Sequence, residues 1–143
     1  MGKRLPLKAA HAAVDAALER AAADGLRIAV AVVDARGADI LVARGDGAPW
    51  FSPGVARAKA ASSTAFRVPS DAMQGIRETY PDLFALIDDQ VPHRLTTLPG
   101  GLPVRHDGEL LGAIGVSGAT AEQDVECAQA ALDALAVLLA SGS

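Results

Sequence analysis

Cysteine is nearly absent: Cys127 is the only one in 143 residues. No internal disulfide can form, and no cysteine cage for a metal can be built. Aromatic side chains are almost as scarce, with one Trp, one Tyr and three Phe. No stripe of aromatic and basic residues is available to grip a single-stranded nucleic acid. Positive charge is not in excess either. Thirteen Lys and Arg stand against 17 Asp and Glu, for a net charge of −4. Phosphate backbones need a basic surface, so nucleic acid is not expected as a partner. No apolar run approaches the roughly 20 residues of a membrane helix, so no membrane partner is expected. The basic start Met1-Gly2-Lys3-Arg4 leads into a segment containing Asp15 and Glu19, unlike the unbroken apolar core of a signal peptide. The expectation is a cytoplasmic protein. The nucleotide-binding G-x-G-x-x-G, the P-loop and the G-x-S-x-G elbow are all missing.

What is present is apolar and small. Half the residues are hydrophobic and 21% are charged, enough for a full core in a single domain spanning 1–143. Alanine is the commonest residue. Small side chains let elements pack closely but bury less apolar area per residue. A chain built this way is expected to draw part of its stability from contacts between subunits.

Leu7, His11, Val14 and Leu18 fall on one helical face, predicting a helix over 7–24 that ends at Gly25. Residues 27–34 read as a strand. Its Ile28, Val30 and Val32 alternate with Ala29, Ala31 and Val33, so both faces are apolar and the strand is central. A short turn leads to an antiparallel strand over 40–44. Ser52-Pro53 opens a helix to about Phe66, with Ser52 as N-cap. Ser70 caps a further helical stretch to about Glu78, and 82–89 forms one more short helix. Strands follow near 94–98, over 102–106 and over 109–116, the last two joined by the Asp107-Gly108 turn. Gly112, Ala113 and Gly115 indicate a close neighbour along the last strand. Thr120 and Gln123 form a capping box for a helix over 121–139, followed by a frayed tail at 141–143. The order is α-β-β-α-α-β-β-β-α. Hairpins mixed with terminal helices define an α+β fold with an antiparallel sheet of about five strands.

Three segments carry a resemblance. The first is Val32-Val33-Asp34, Gly37 and Arg44-Gly45-Asp46-Gly47-Ala48. The second is Ala56-Arg57-Ala58-Lys59-Ala60 with Ala65-Phe66-Arg67-Val68-Pro69-Ser70. The third is Pro99-Gly100-Gly101-Leu102-Pro103-Val104, Asp107-Gly108, the run Gly112 to Ala119, and Gln123-Asp124. In this order they resemble the GlcG/HbpS-like family of haem-degrading or haem-binding domains. The C-terminal domain of PduO-type cobalamin adenosyltransferases is similar. The resemblance covers nearly the whole chain. It implies a profilin-like fold, homo-oligomers that are often octamers, and a function that varies from haem binding or degradation to corrinoid-linked contexts.

The ligand-binding candidates are Phe66, Arg67, Gly100, Gly101, Asp34 and Asp124. Arg67 follows an aromatic at a helix exit, where a guanidinium suits a carboxylate or haem propionate; a surface arginine is the plainer account. The backbone N–H groups of Gly100 and Gly101 can line an anion pocket, or the glycines can simply make a turn. Arg67 and this loop are expected to face one cavity. Asp124 lies in a helix's first turn, where the macrodipole alone favours an anion. His11, on the expected dry face of the first helix, is either a packed core residue or an axial haem ligand. Covalent haem attachment is excluded, since C-x-x-C-H is absent. His93 and His106 are expected to be exposed, and Cys127 buried and inert. The leading reading is a haem- or tetrapyrrole-binding protein. The alternative is a cofactor-independent isomerase, lyase or hydrolase acting on a carboxylated metabolite near Arg67 and Gly100-Gly101, with no catalytic residue assigned.

Overall fold

The structure, a computed structural model, describes residues 4–142. Met1–Lys3 of the basic start, and Ser143, lie outside the described residues. Helix α1 spans Leu7–Ala23, followed by strands β1 (Ala29–Asp34) and β2 (Asp39–Arg44). Helix α2 spans Ser52–Phe66. A 3-10 turn at Ser70–Ala72 leads to α3 (Met73–Thr79) and α4 (Pro81–Asp88). Strands β3 (Gly101–His106) and β4 (Glu109–Ser117) precede α5 (Ala121–Gly142). The sheet has the order β2-β1-β4-β3, and every pairing is antiparallel.

The alternation along β1 divides the core in two. Val30 and Val32 face a large cluster with Ala10, Ala13 and Ala17 of α1 and Cys127, Ala131 and Leu135 of α5. Ala29, Ala31 and Val33 face the other way, against Ala56 and Ala60 of α2. Small residues on this second face let α2 lie almost on the backbone of the sheet. A Cβ on Gly115 would run into the carbonyl of Ala56.

Four strands are present among the described residues, not five. The expected strand at 94–98 is an irregular extended segment. Its backbone bonds go to side chains: Leu95 N donates to Asp88 Oδ1 (2.6 Å) and Thr96 N to Ser62 Oγ (2.8 Å). The serine caps also differ. Ser52 is the first helical residue, and its hydroxyl donates to Pro49 O. Ser70 ties two segments together, since its Oγ donates to Leu98 O (2.6 Å) and accepts from Gly101 N (2.8 Å). The capping box of α5 is formed in both directions: Gln123 N donates to Thr120 Oγ1 and Thr120 N to Gln123 Oε1. Helix α5 continues through Ser141, so the tail expected there is helical.

Candidate functional site

An apolar cleft of about 550 Å³ opens beside the N-terminal half of α2. Its lining includes Trp50, Phe51, Val55, Arg57 and Leu98. The loop before α2 presents the aromatics outward, because the turn is fixed by Ser52 N and Ser52 Oγ both donating to Pro49 O. Trp50 is 80% exposed, and its ring meets that of Phe51 edge to face with centroids 5.7 Å apart. Leu98 is also exposed, on the segment that Ser70 anchors. Large exposed apolar side chains gathered at a concave site mark a place where something binds.

A carboxylate stands at the edge of this cleft. Asp39 Oδ2 accepts from Arg57 Nε at 3.0 Å, and Asp39 Oδ1 lies 3.0 Å from His93 Nε2. One side chain thus joins an arginine of the cleft to a histidine. The Arg57 and His93 side chains are 34% and 27% exposed, so both remain open to solvent.

A second cluster is closed to water. Lys59 of α2 and Asp124 of α5 form an ion pair at 2.8 Å, with each side chain 4% exposed. Lys59 Nζ also donates to Val116 O at 2.8 Å, and Asp124 Oδ1 accepts from Ala119 N at 3.0 Å. Burial pushes the Asp124 carboxyl above its ordinary value, and the bonds from Lys59 and Ala119 oppose this only in part. Gly100 and Gly101 lie directly over this pair. A Cβ on Gly100, where φ is 124°, would come within 2.6 Å of Val116 O and 3.0 Å of Lys59 Nζ. Gly101 N is already bonded to Ser70. Both glycines are buried and make room for Lys59.

The structure does not bring Arg67 and the glycine loop together. Arg67 caps α2 in the left-handed conformation (φ 60°, ψ 39°), and its carbonyl accepts from Arg105 near the end of β3. Gly101 begins that strand, so about four residues, or roughly 13 Å, separate them along it. Arg67 instead lines an open cleft of about 490 Å³ together with Thr64, Asp107 and Glu109. Phe66, beside it, is half-buried. Asp34 shapes the β1–β2 turn, its Oδ1 accepting from Arg36 N and Ala38 N.

His11 is on the exposed side of α1, and Leu7 is 54% exposed. The dry face is the alanine stripe Ala10, Ala13, Ala17 and Ala21 with Val14. Of the larger apolar residues Leu7, Val14 and Leu18, only Val14 belongs to this buried face. His106 is half-buried, with Nε2 3.5 Å from Asp107 Oδ2. Cys127 is buried, and burial raises its thiol above the ordinary value, leaving it a weak nucleophile.

Residue-by-residue reading passed over Lys59, Arg57, Trp50 and Phe51 as site residues. Lys59 had a signal: it falls with Ala56, Ala60 and Ser63 on one helical stripe, where a charge needs a partner. The adjacent Trp50-Phe51 pair holds two of the chain's five aromatics.

The fold and cleft define an α+β domain with an apolar surface site. The family model for the haem degrading protein HbpS-like family matches residues 5–133. The chain belongs to that family. It is 30% identical over 127 residues to the corrinoid adenosyltransferase PduO of Salmonella typhimurium, covering 89% of this chain. It spans only 38% of the length of that relative. Among solved structures, Klebsiella pneumoniae protein ORFY superposes with a TM-score of 0.85 at 30% identity, covering 96% of this chain and 95% of the other. A complex of PduOC with haem superposes with a TM-score of 0.80 at 29% identity, covering 92% and 95%.

Proposed function

We propose that this protein binds haem or a closely related tetrapyrrole in the Trp50–Leu98 cleft, as a homo-oligomer. The observation that carries the reading is the cleft itself. A tetrapyrrole is a flat apolar disc with carboxylates at one edge. Trp50, Phe51, Val55 and Leu98 supply apolar contact, and aromatic rings favour stacked or edge-on contact with a macrocycle. Arg57 commits its Nε–H to Asp39, and its fork can present further N–H groups to a propionate. When bound, haem would supply the redox and ligand-binding chemistry of its iron; the chain supplies the apolar seat and the cation. The haem complex of a similar fold supports the same reading. The enzymatic alternative has less behind it. Its pocket needed Arg67 beside Gly100-Gly101, and the cleft around Arg67 carries Asp107 and Glu109, which disfavour an anionic substrate.

Titration of the purified protein with hemin tests the proposal. A shifted, sharpened Soret band is expected. Trp50→Ala should weaken binding about five- to thirtyfold, equivalent to about 1–2 kcal/mol. Absence of any shift in the unmodified protein rules out haem, and unchanged affinity in Trp50→Ala rules out this cleft.

A further inference from the structure

We propose that the polar cleft at the C-terminal end of α2 binds a small zwitterion of the amino acid class, Arg67 taking its carboxylate and Glu109 its ammonium. This cleft, of about 490 Å³, shares no lining residue with the Trp50–Leu98 cleft. Arg67 lies roughly 15 Å beyond Arg57 along the helix axis. The inference therefore stands apart from the tetrapyrrole reading.

The first observation is the backbone of Arg67. It ends α2 with φ 60° and ψ 39°. Glycine is the usual residue there, because a Cβ is penalised in the left-handed region. Asp107, at φ 53°, is the other non-glycine residue with positive φ among the described residues, and it lines the same cleft. Asp107 has an ordinary reason, since a tight Asp-Gly hairpin turn requires positive φ. Arg67 lacks one. Arg105 donates to its carbonyl and helps to hold the conformation. Glycine would serve that backbone better, so what distinguishes an arginine there is its side chain.

The second observation is the arrangement of charge. Among the described residues, no hydrogen bond or ion pair reaches the Arg67 guanidinium or the Glu109 carboxylate. Both residues line the cleft, and both are exposed. Opposite charges that share a cleft without meeting leave room for a molecule carrying both signs. A guanidinium fork matches a carboxylate with two parallel bonds. Thr64 and Ala65, in the last turn of α2, line the cleft as well. Carbonyls in a last turn have no intrahelical donor, and the macrodipole is negative at this end, so together with Glu109 they favour an ammonium. A purely anionic ligand would meet Asp107 and Glu109, and a purely cationic one would meet Arg67.

Calorimetric titration of the full chain with L-alanine tests the site. The comparison probes are N-acetyl-L-alanine, which keeps only the carboxylate, and L-alanine amide, which keeps only the ammonium. L-alanine should bind about three- to tenfold more tightly than either, the open site screening part of each charge. Arg67→Gly should raise the thermal midpoint and yet lose the preference for L-alanine over the amide. Glu109→Gln should lose the preference over N-acetyl-L-alanine. Trp50→Ala should bind L-alanine as the unmodified protein does. No binding of L-alanine by the unmodified protein, or equal affinity for the three probes, overturns the proposal. An Arg67→Gly variant that keeps the preference, or that is less stable, also overturns it, the second outcome making Arg67 a structural residue. Loss of L-alanine binding in Trp50→Ala would put the zwitterion in the apolar cleft and overturn it too.

Discussion

Among the described residues, Lys59 and Asp124 are the two charged side chains that the fold removes from water, and their pairing sets what either substitution does. Removing one partner of a buried ion pair strands the other and typically costs about 3–5 kcal/mol. Lys59→Met should therefore destabilise the protein by about that much in urea denaturation. Asp124→Asn, added to it, should recover most of the loss, because the amide oxygen can still accept from Ala119 N and no charge remains buried. A double variant no more stable than Lys59→Met would show that Lys59 acts through packing alone. The pH dependence has a definite sign. The folded Asp124 carboxyl holds its proton to higher pH than the ordinary value of 3.8. Its contribution is thus most favourable below that value and is lost as pH rises through the raised one. Without the Lys59 cation the rise is larger. The penalty of Lys59→Met should shrink as the pH falls and the stranded carboxyl takes up its proton. Asp124 was legible in the sequence as an anion at a helix start; its partner 65 positions away was not, since no local pattern pairs α2 with α5.

Helix α2 rests on β4 at backbone distance, so a glycine inside that contact and one outside it should behave in opposite ways. Gly115 faces the Ala56 carbonyl with no room for a methyl group. Gly115→Ala should force the helix off the sheet and cost about 1–3 kcal/mol or more. Gly75 lies inside α3 with nothing within 4 Å of its would-be Cβ and an ordinary φ. Gly75→Ala should stabilise by about 0.4–1 kcal/mol through the unfolded chain. Thermal unfolding of both variants checks the contrast, and two shifts of the same sign would refute it. The close approach to β4 was readable from Gly112-Ala113-Ile114-Gly115, and the central place of β1 from its two apolar faces. The fifth strand was misread because an extended, Pro-bounded segment looks the same whether its N–H groups meet a strand or side chains such as Asp88 and Ser62. Ser70 was misread for a related reason. A serine at a helix start resembles a cap, and only the fold brings Leu98 and Gly101 to its hydroxyl.

At the scale of the whole molecule, the outer surface of the α1–α5 layer bears on assembly. Arg20, late in α1, pairs with Glu126, early in α5, at 3.0 Å. The two helices therefore run antiparallel. Leu7 lies about 20 Å before Arg20 along α1, and Val137 about 17 Å beyond Glu126 along α5. Both come to the same end of the helix pair, where they are 54% and 69% exposed. Exposed apolar side chains on a layer whose inner face is mostly alanine are suited to contact with a second copy, since alanine gives that core little area of its own. Light scattering at low micromolar concentration should return a mass at least twice 14.5 kDa. Leu7→Glu with Val137→Glu should lower that mass, because charges buried at a contact go unpaired. Hemin binding in the Trp50 cleft should survive in the same variant if the cleft is complete within one chain. A monomeric unmodified protein would refute the assembly, and an unchanged mass in the double variant would place the contact elsewhere on the surface.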